Sequence, residues 1–201
     1  MRINKGIGNI QTLVKNHLAR VISPGDVVVD ATAGRGRDTL FLAQCVGKEG
    51  QVYAFDIQEE AINATHQLLQ ENNLLDRVKI IKACHSTLHK YVPQGIKAVV
   101  FNLGYLPGSD YQIVTKAETT LKALAKSLEL LGSLGLIALT IYRGHQGAKE
   151  EAREVNRFLA QLPKKEFSVL QGIYLNQGEE SPYWIMIEKN RRKANENSSA
   201  K

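Results

Sequence analysis

Two glycines and two acids hold the strongest chemical signal in this sequence. Gly34 and Gly36 form a Gly-x-Gly turn between the run Val27-Val28-Val29-Asp30 and an apolar segment of helical spacing that starts near Asp38. Glycine lacks a Cβ and tolerates positive φ, so such a turn lets the backbone approach a ligand closely. The helix behind it offers free N–H groups at its start. A Gly-x-Gly alone is also an ordinary tight turn. The second acid decides between these readings. Asp56 closes the run Gln51-Val52-Tyr53-Ala54-Phe55 and follows Gly36 by 20 positions. An acid at the end of a second strand, about 20 residues past the glycine turn, is where nucleoside-binding βαβ units hold ribose hydroxyls.

A dinucleotide fingerprint would place its third glycine at position 39, which here is Thr39. A pyrophosphate ligand is therefore disfavoured, and a ligand with a ribose and no phosphate fits better. S-adenosylmethionine (SAM) is the common one. A third constellation, Phe101-Asn102-Leu103-Gly104-Tyr105-Leu106-Pro107-Gly108, ends a later apolar run. Its tight loop projects an amide and a ring: the Asn102 oxygen accepts N–H bonds and suits an amine nucleophile. Tyr105 suits stacking on a base or a bond through its hydroxyl. Asn102 and Tyr105 are the catalytic candidates, with His85 and His145 as candidate bases.

These residues need elements to position them, and the apolar periodicity supplies alternating helices and strands. Helices are expected over Ile10 to Val21 (apolar face Ile10, Leu13, Val14, His17, Leu18, Val21), Asp38 to Val46, Glu59 to Glu71, Thr115 to Leu131 and Ala148 to Leu162. Strands are expected over Asp26 to Asp30, Gln51 to Asp56, Val78 to Lys82, Ile96 to Phe101 and Leu136 to Ile141, the last set off by Gly132 and Gly135. Phe167 to Leu175 and Tyr183 to Glu188 lack an intervening helix, so they pair antiparallel. Five β/α units and an antiparallel pair give an α/β, Rossmann-like class I methyltransferase layout: seven strands, mostly parallel, one antiparallel. Open α/β sheets bind ligands at the carboxyl ends of their strands. That rule gathers Gly34 to Asp38, Asp56 to Gln58, Ala83 to Ser86 and Asn102 to Pro107 around one crevice. The expected cofactor residues are Asp30, Gly34, Arg35, Gly36, Arg37, Asp38, Asp56, Gln58, His85, Ser86 and Asn102.

The totals bound the rest. The 201 residues, 43% hydrophobic and 23% charged, suit one soluble domain over 1–189 with a basic polar tail at 190–201, expected to be disordered. Net charge +6 permits a nucleic-acid partner. Cys45 and Cys84 form neither a disulfide framework nor a metal-ligand cluster. With no signal peptide and no apolar run of about 18 residues, a cytoplasmic protein with no membrane span and no metal is expected.

The loop at Asn102 resembles the Asn/Asp-Pro-Pro-Tyr/Phe loop of methyltransferases acting on exocyclic nitrogens, with Leu103 and Gly104 in place of the prolines. Together with Asp30-Ala31-Thr32-Ala33-Gly34-Arg35-Gly36-Arg37-Asp38-Thr39, Phe55-Asp56-Ile57-Gln58, Tyr142-Arg143-Gly144-His145 and the ending from Asn176 to Lys189, it resembles the MnmM/YtqB-like family of small bacterial proteins long labelled rRNA methylases. The resemblance runs from about Asn9 to Lys189. It implies methyl transfer from SAM to the aminomethyl group of wobble 5-aminomethyl-(2-thio)uridine in the tRNA anticodon region. It also implies contacts of His85 near the adenine or ribose, and is compatible with a homodimer. The sequence departs from the family pattern at Arg35, Arg37 and Gly108-Ser109-Asp110-Tyr111, so only backbone contacts carry over at the first two. An rRNA methyltransferase, a small-molecule methyltransferase and a non-catalytic SAM-binding RNA module are the alternatives.

Overall fold

The computed structural model describes residues 9–106, 108 and 113–191. The tail beyond Arg191 and the loop residues Pro107, Ser109, Asp110 and Tyr111 singled out above lie outside the described residues. Seven strands form one sheet in the order β3-β2-β1-β4-β5-β7-β6: β1 Val27–Asp30, β2 Gln51–Asp56, β3 Val78–Lys82, β4 Ile96–Leu103, β5 Leu131–Ile141, β6 Phe167–Gly172 and β7 Tyr183–Lys189. β7 is antiparallel to both its neighbours, β5 and β6, so it is the one strand that runs against the rest. The fold class and strand count agree with the sequence expectation.

Strands buried on both faces need two apolar sets, and the two cores follow the alternation of side chains across the sheet. Val28, Val52, Ala54, Ala98, Val100 and Ala138 meet helices α1 (Ile10–Val21), α2 (Arg37–Val46) and α3 (Glu59–Glu71) on one face. Val29, Phe55, Val99, Phe101, Ile137 and Leu139 meet α4 (Ala117–Leu130) and α5 (Ala148–Ala160) on the other. Small residues, Ala54, Ala98 and Ala138, lie on the first face only.

Four differences from the expected elements matter. β4 continues to Leu103, so Asn102 lies within the strand, opposite Thr140 of β5, rather than after it. β5 starts at Leu131 directly from α4; Gly132 and Gly135 sit inside the strand, because a Cβ there would meet the Gly95 carbonyl oxygen at 3.1 Å and Leu131 Cδ2 at 2.8 Å. The connection from β3 to β4, where no helix is expected, carries a short 3-10 helix, His85–Lys90. In α1 the buried stripe is Ile10, Val14 and Leu18, spaced by four, while His17 is exposed. Asn9 starts that helix by accepting the Thr12 N–H at 2.9 Å.

Candidate active site

The strand order reverses at β1, whose neighbours β2 and β4 carry the chain outward in opposite directions, and ligands bind at such a switch point. A cleft of about 970 Å³ opens there, along the carboxyl ends of β1, β2 and β4. It is lined on one side by Gly34, Arg35, Arg37, Asp56, Gln58, Cys84 and His85, and on the other by Gln11, Asn102, Gly104, Tyr105, Thr115, Lys116 and Tyr142, with Asp38 between.

The first side is built mostly by backbone. Asp56 Oδ2 accepts the Gly34 N–H at 2.9 Å and its Oδ1 accepts the Gln58 N–H at 3.0 Å. A carboxylate has about four lone-pair sites, so two remain for hydroxyls. Gly36 takes φ +77° as the residue capping α2, and a Cβ on it would come within 2.9 Å of Thr65 Cα in α3. The Thr65 hydroxyl donates to the Gly34 carbonyl at 3.1 Å, which seats the glycine loop on α3. Arg35 pairs with Glu60 at 3.1 Å on the surface.

His85 is buried against Phe101, its ring edge-on at 5.9 Å. Burial lowers its pKa, opposed by a bond to the Ala31 backbone and by the Asp56 charge. Its Nε2 has no hydrogen-bond partner among the described residues. Burial and the lowered pKa make this imidazole a weak base.

Asp30, Gly36 and Ser86, expected at the cofactor, do not line the cleft. Asp30 lies behind the loop, fully buried, where it accepts the Thr39 hydroxyl at 2.6 Å and the Thr32 N–H at 3.2 Å. Burial, with Asp38 nearby, pushes its pKa up to about 7. Gly36 is turned toward Thr65. The Ser86 hydroxyl is spent on Cys84 Sγ at 3.1 Å.

The second side is built by side chains from distant segments. Asn102 Nδ2 donates to Asp38 Oδ2 at 2.7 Å, and its backbone N–H donates to the Thr32 hydroxyl at 2.7 Å. Lys15 of α1 pairs with the other oxygen of Asp38 at 2.6 Å. Gln11, one turn before it, donates through Nε2 to the Tyr142 hydroxyl at 2.6 Å. Gly104 lets the Tyr142 ring lie close: a Cβ there would be 3.4 Å from Tyr142 Cβ. Tyr105 bridges Val114 across the loop, is 37% exposed, and meets His145 edge-on at 5.8 Å. Thr115 and Thr120 both donate to buried Glu151, at 2.7 and 2.6 Å, tying this wall to α5.

Gln11, Lys15, Thr32, Thr115 and Tyr142 are not assigned to the site by the sequence, although Thr32 and Tyr142 lie in the motifs quoted above. The one available signal was the i, i+4 spacing of Gln11 and Lys15 beside the Ile10–Val14–Leu18 stripe, which places two polar groups on one line of the helix. Among the described residues no group of three His, Cys, Asp or Glu is arranged to hold a metal ion, and no helix is long and apolar enough to cross a membrane.

Strand order, the lone antiparallel β7, the glycine loop and the strand-end acid define a Rossmann-like class I methyltransferase. Solved structures agree. A Clostridium thermocellum protein described as an rRNA-methylase matches with TM-score 0.89 at 43% identity, over 92% of this chain and 99% of that one. Streptococcus mutans SMU.1697c, solved in complex with SAH, matches with TM-score 0.84 at 36% identity, also over 92% and 99%. The rRNA methylase family profile matches residues 52–188, and the chain belongs to that family. It is 40% identical over 168 residues to the chloroplastic tRNA (mnm(5)s(2)U34)-methyltransferase of Arabidopsis thaliana, spanning 79% of this chain and 61% of that protein's length.

Proposed function

We propose that this protein is a SAM-dependent tRNA methyltransferase that converts wobble 5-aminomethyl-(2-thio)uridine to its 5-methylaminomethyl form. The observation that carries the reading is one cleft with a ribose-type carboxylate, Asp56, on one wall and an amine-type acceptor, Asn102, on the other. The likeness to the Arabidopsis tRNA enzyme supports the substrate, and the SAH held by the Streptococcus mutans relative supports the cofactor.

The residues fit SAM. Asp56 keeps lone pairs for the ribose diol, and His85 stands in the same wall of the cleft. Gly34, Arg35 and Arg37 would flank the methionine end through their backbone, with Gln58 beside the ribose; Asp38 joins this wall to the acceptor wall. SAM supplies an electrophilic methyl on a sulfonium. The acceptor nitrogen gives its lone pair to that methyl while the carbon–sulfur electrons return to sulfur, and the surplus proton leaves the nitrogen for water. Asn102 Oδ1 accepts an N–H of the neutral amine and fixes its approach, and fixing two reactants at attack distance supplies much of the acceleration. The Tyr105 ring stacks on the target base or a neighbour. Arg37 and Lys116 are exposed at the rim and suit RNA phosphates. Exposed Val169 and Leu170 on edge strand β6 favour a homodimer, which sedimentation measures. A tRNA substrate is consistent with a cytoplasmic location.

The test is incubation with labelled SAM and tRNA bearing the aminomethyl group, followed by digestion to nucleosides and mass analysis. One added methyl on that uridine is the expected result. Label in rRNA with none in tRNA supports the activity in the family's label. Label only in small metabolites, or SAM binding with no transfer, overturns RNA methylation.

A further inference from the structure

We infer that Lys15 and Asp38 are positioning residues that lock the Asn102 amide with its carbonyl oxygen turned toward the acceptor amine; the inference rests on the amine acceptor proposed above. An asparagine amide has two orientations of nearly equal shape, and only one offers an acceptor to an incoming N–H. Here Nδ2 donates to Asp38 Oδ2 at 2.7 Å. An ionised carboxylate only accepts, so the flipped amide would set oxygen against oxygen. The Asn102 backbone is fixed as well, through Thr32 and through its place opposite Thr140 in the sheet.

Asp38 is held in turn. It sits in the first turn of α2, where the helix dipole favours an anion, and Lys15 takes its second oxygen at 2.6 Å. The Lys15 ammonium lies 5.5 Å from the centroid of the Phe41 ring, so α1 delivers it along an apolar wall.

Lys15 has a second effect on the same reaction. A bare carboxylate beside the acceptor would favour the ammonium form, which has no lone pair to give. The Lys15 charge offsets that of Asp38 and favours the free amine. The other groups facing Asp38 are Asp30 from β1, Tyr142 beyond β5 and the adjoining Arg37. None of them pairs with its carboxylate among the described residues.

The experiment compares the wild type with Lys15→Met, which keeps the apolar stem, and Lys15→Arg, which keeps the charge. The first readout needs no ligand: hydrogen exchange of the Asn102 side-chain amide in asparagine-labelled protein by NMR. Exchange is expected to quicken about tenfold in Lys15→Met, as for a weakened charge-assisted bond, and to recover in Lys15→Arg. The second is single-turnover methyl transfer against pH. Lys15→Met is expected to slow the step about tenfold, move the profile to higher pH and leave SAM affinity within about threefold. In an Asn102→Ala background, on the high-pH plateau where the amine is fully deprotonated, the same substitution should cost nothing further, since two residues acting as one unit are not additive. Unchanged amide exchange in Lys15→Met overturns the inference, as does a high-pH plateau rate loss that multiplies with Asn102→Ala or is matched by lost SAM affinity. If the wild type methylates no tRNA while amide exchange still depends on Lys15, the lock stands and the assigned reaction falls.

Discussion

The two walls of the cleft are assembled in different ways. The wall with Asp56 is mostly local: strand, glycine turn and helix lie within one βαβ unit, joined by Cys84 and His85 from just after β3, and its main bond spans 22 residues, from Gly34 to Asp56. The wall with Asn102 is composite. It draws Gln11 and Lys15 from α1, Asn102 from β4, Thr115 ahead of α4 and Tyr142 beyond β5. Bonds between side chain and backbone fix the first wall, and bonds mostly between side chains fix the second. A backbone-built wall suits a ligand common to many enzymes; a side-chain wall is where an acceptor is chosen.

That contrast is broken or sharpened by four substitutions. The largest effect is expected at Asp30, which serves both walls from behind. Its folded pKa, about 7, lies above the ordinary 3.8, so the folded state holds the proton more tightly than the unfolded chain. The stabilisation is complete below about pH 4 and lost as pH rises through about 7, a change of at most about 4 kcal/mol. Asp30→Asn should flatten that fall, read as urea midpoints from pH 4.5 to 7.5; parallel slopes in the two proteins would sink the argument.

Next comes the acceptor wall. Asn102→Ala should cut single-turnover methyl transfer by about 10²-fold through lost orientation while SAM affinity stays within a few-fold. Equal losses in rate and SAM binding would erase the division between the walls. Asp56→Ala should do the reverse and weaken SAM binding at least about tenfold in calorimetry, because a hydrogen bond to a charged group is worth roughly 1.5–3 kcal/mol. Unchanged affinity would remove Asp56 from the cofactor. The smallest effect is expected at Tyr105→Ala: tRNA binding weakened by about 1 kcal/mol, with SAM binding unaffected. The low end of that range applies because the ring already packs on His145. Unaltered tRNA affinity in a filter assay would leave Tyr105 as scaffold.

The same contrast explains what could be read in the sequence. The first wall announces itself because Val27-Val28-Val29-Asp30, the glycine turn and Asp56 are fixed by local geometry, and α3 falls at Glu59–Glu71, where its apolar spacing places it. Asn102 and Tyr105 are visible as an unusual strand ending. Their supports are not, since nothing in the spacing of Lys15, Asp38 and Asn102 states that a helix and a strand so far apart converge. Glu151 shows the limit well. In sequence it is one more acid of a charged helix, yet it is buried beneath two threonine hydroxyls. Gly132 and Gly135 mislead in the opposite sense, because glycine marks close backbone approach as readily as a break.

The 131-residue separation between Gln11 and Tyr142 bears on how the protein comes into being. A chain leaving the ribosome has the parts of its Asp56 wall once the segment through His85 has emerged, though β1 must still await β4 to be flanked on both sides. Its acceptor wall waits until β5 has been made and has carried Tyr142 back to a helix translated long before. Contacts this distant are the slow ones in folding. On the proposed function, competence to choose an acceptor is therefore acquired last, and a nascent or truncated chain lacks it even where its Asp56 wall has already formed.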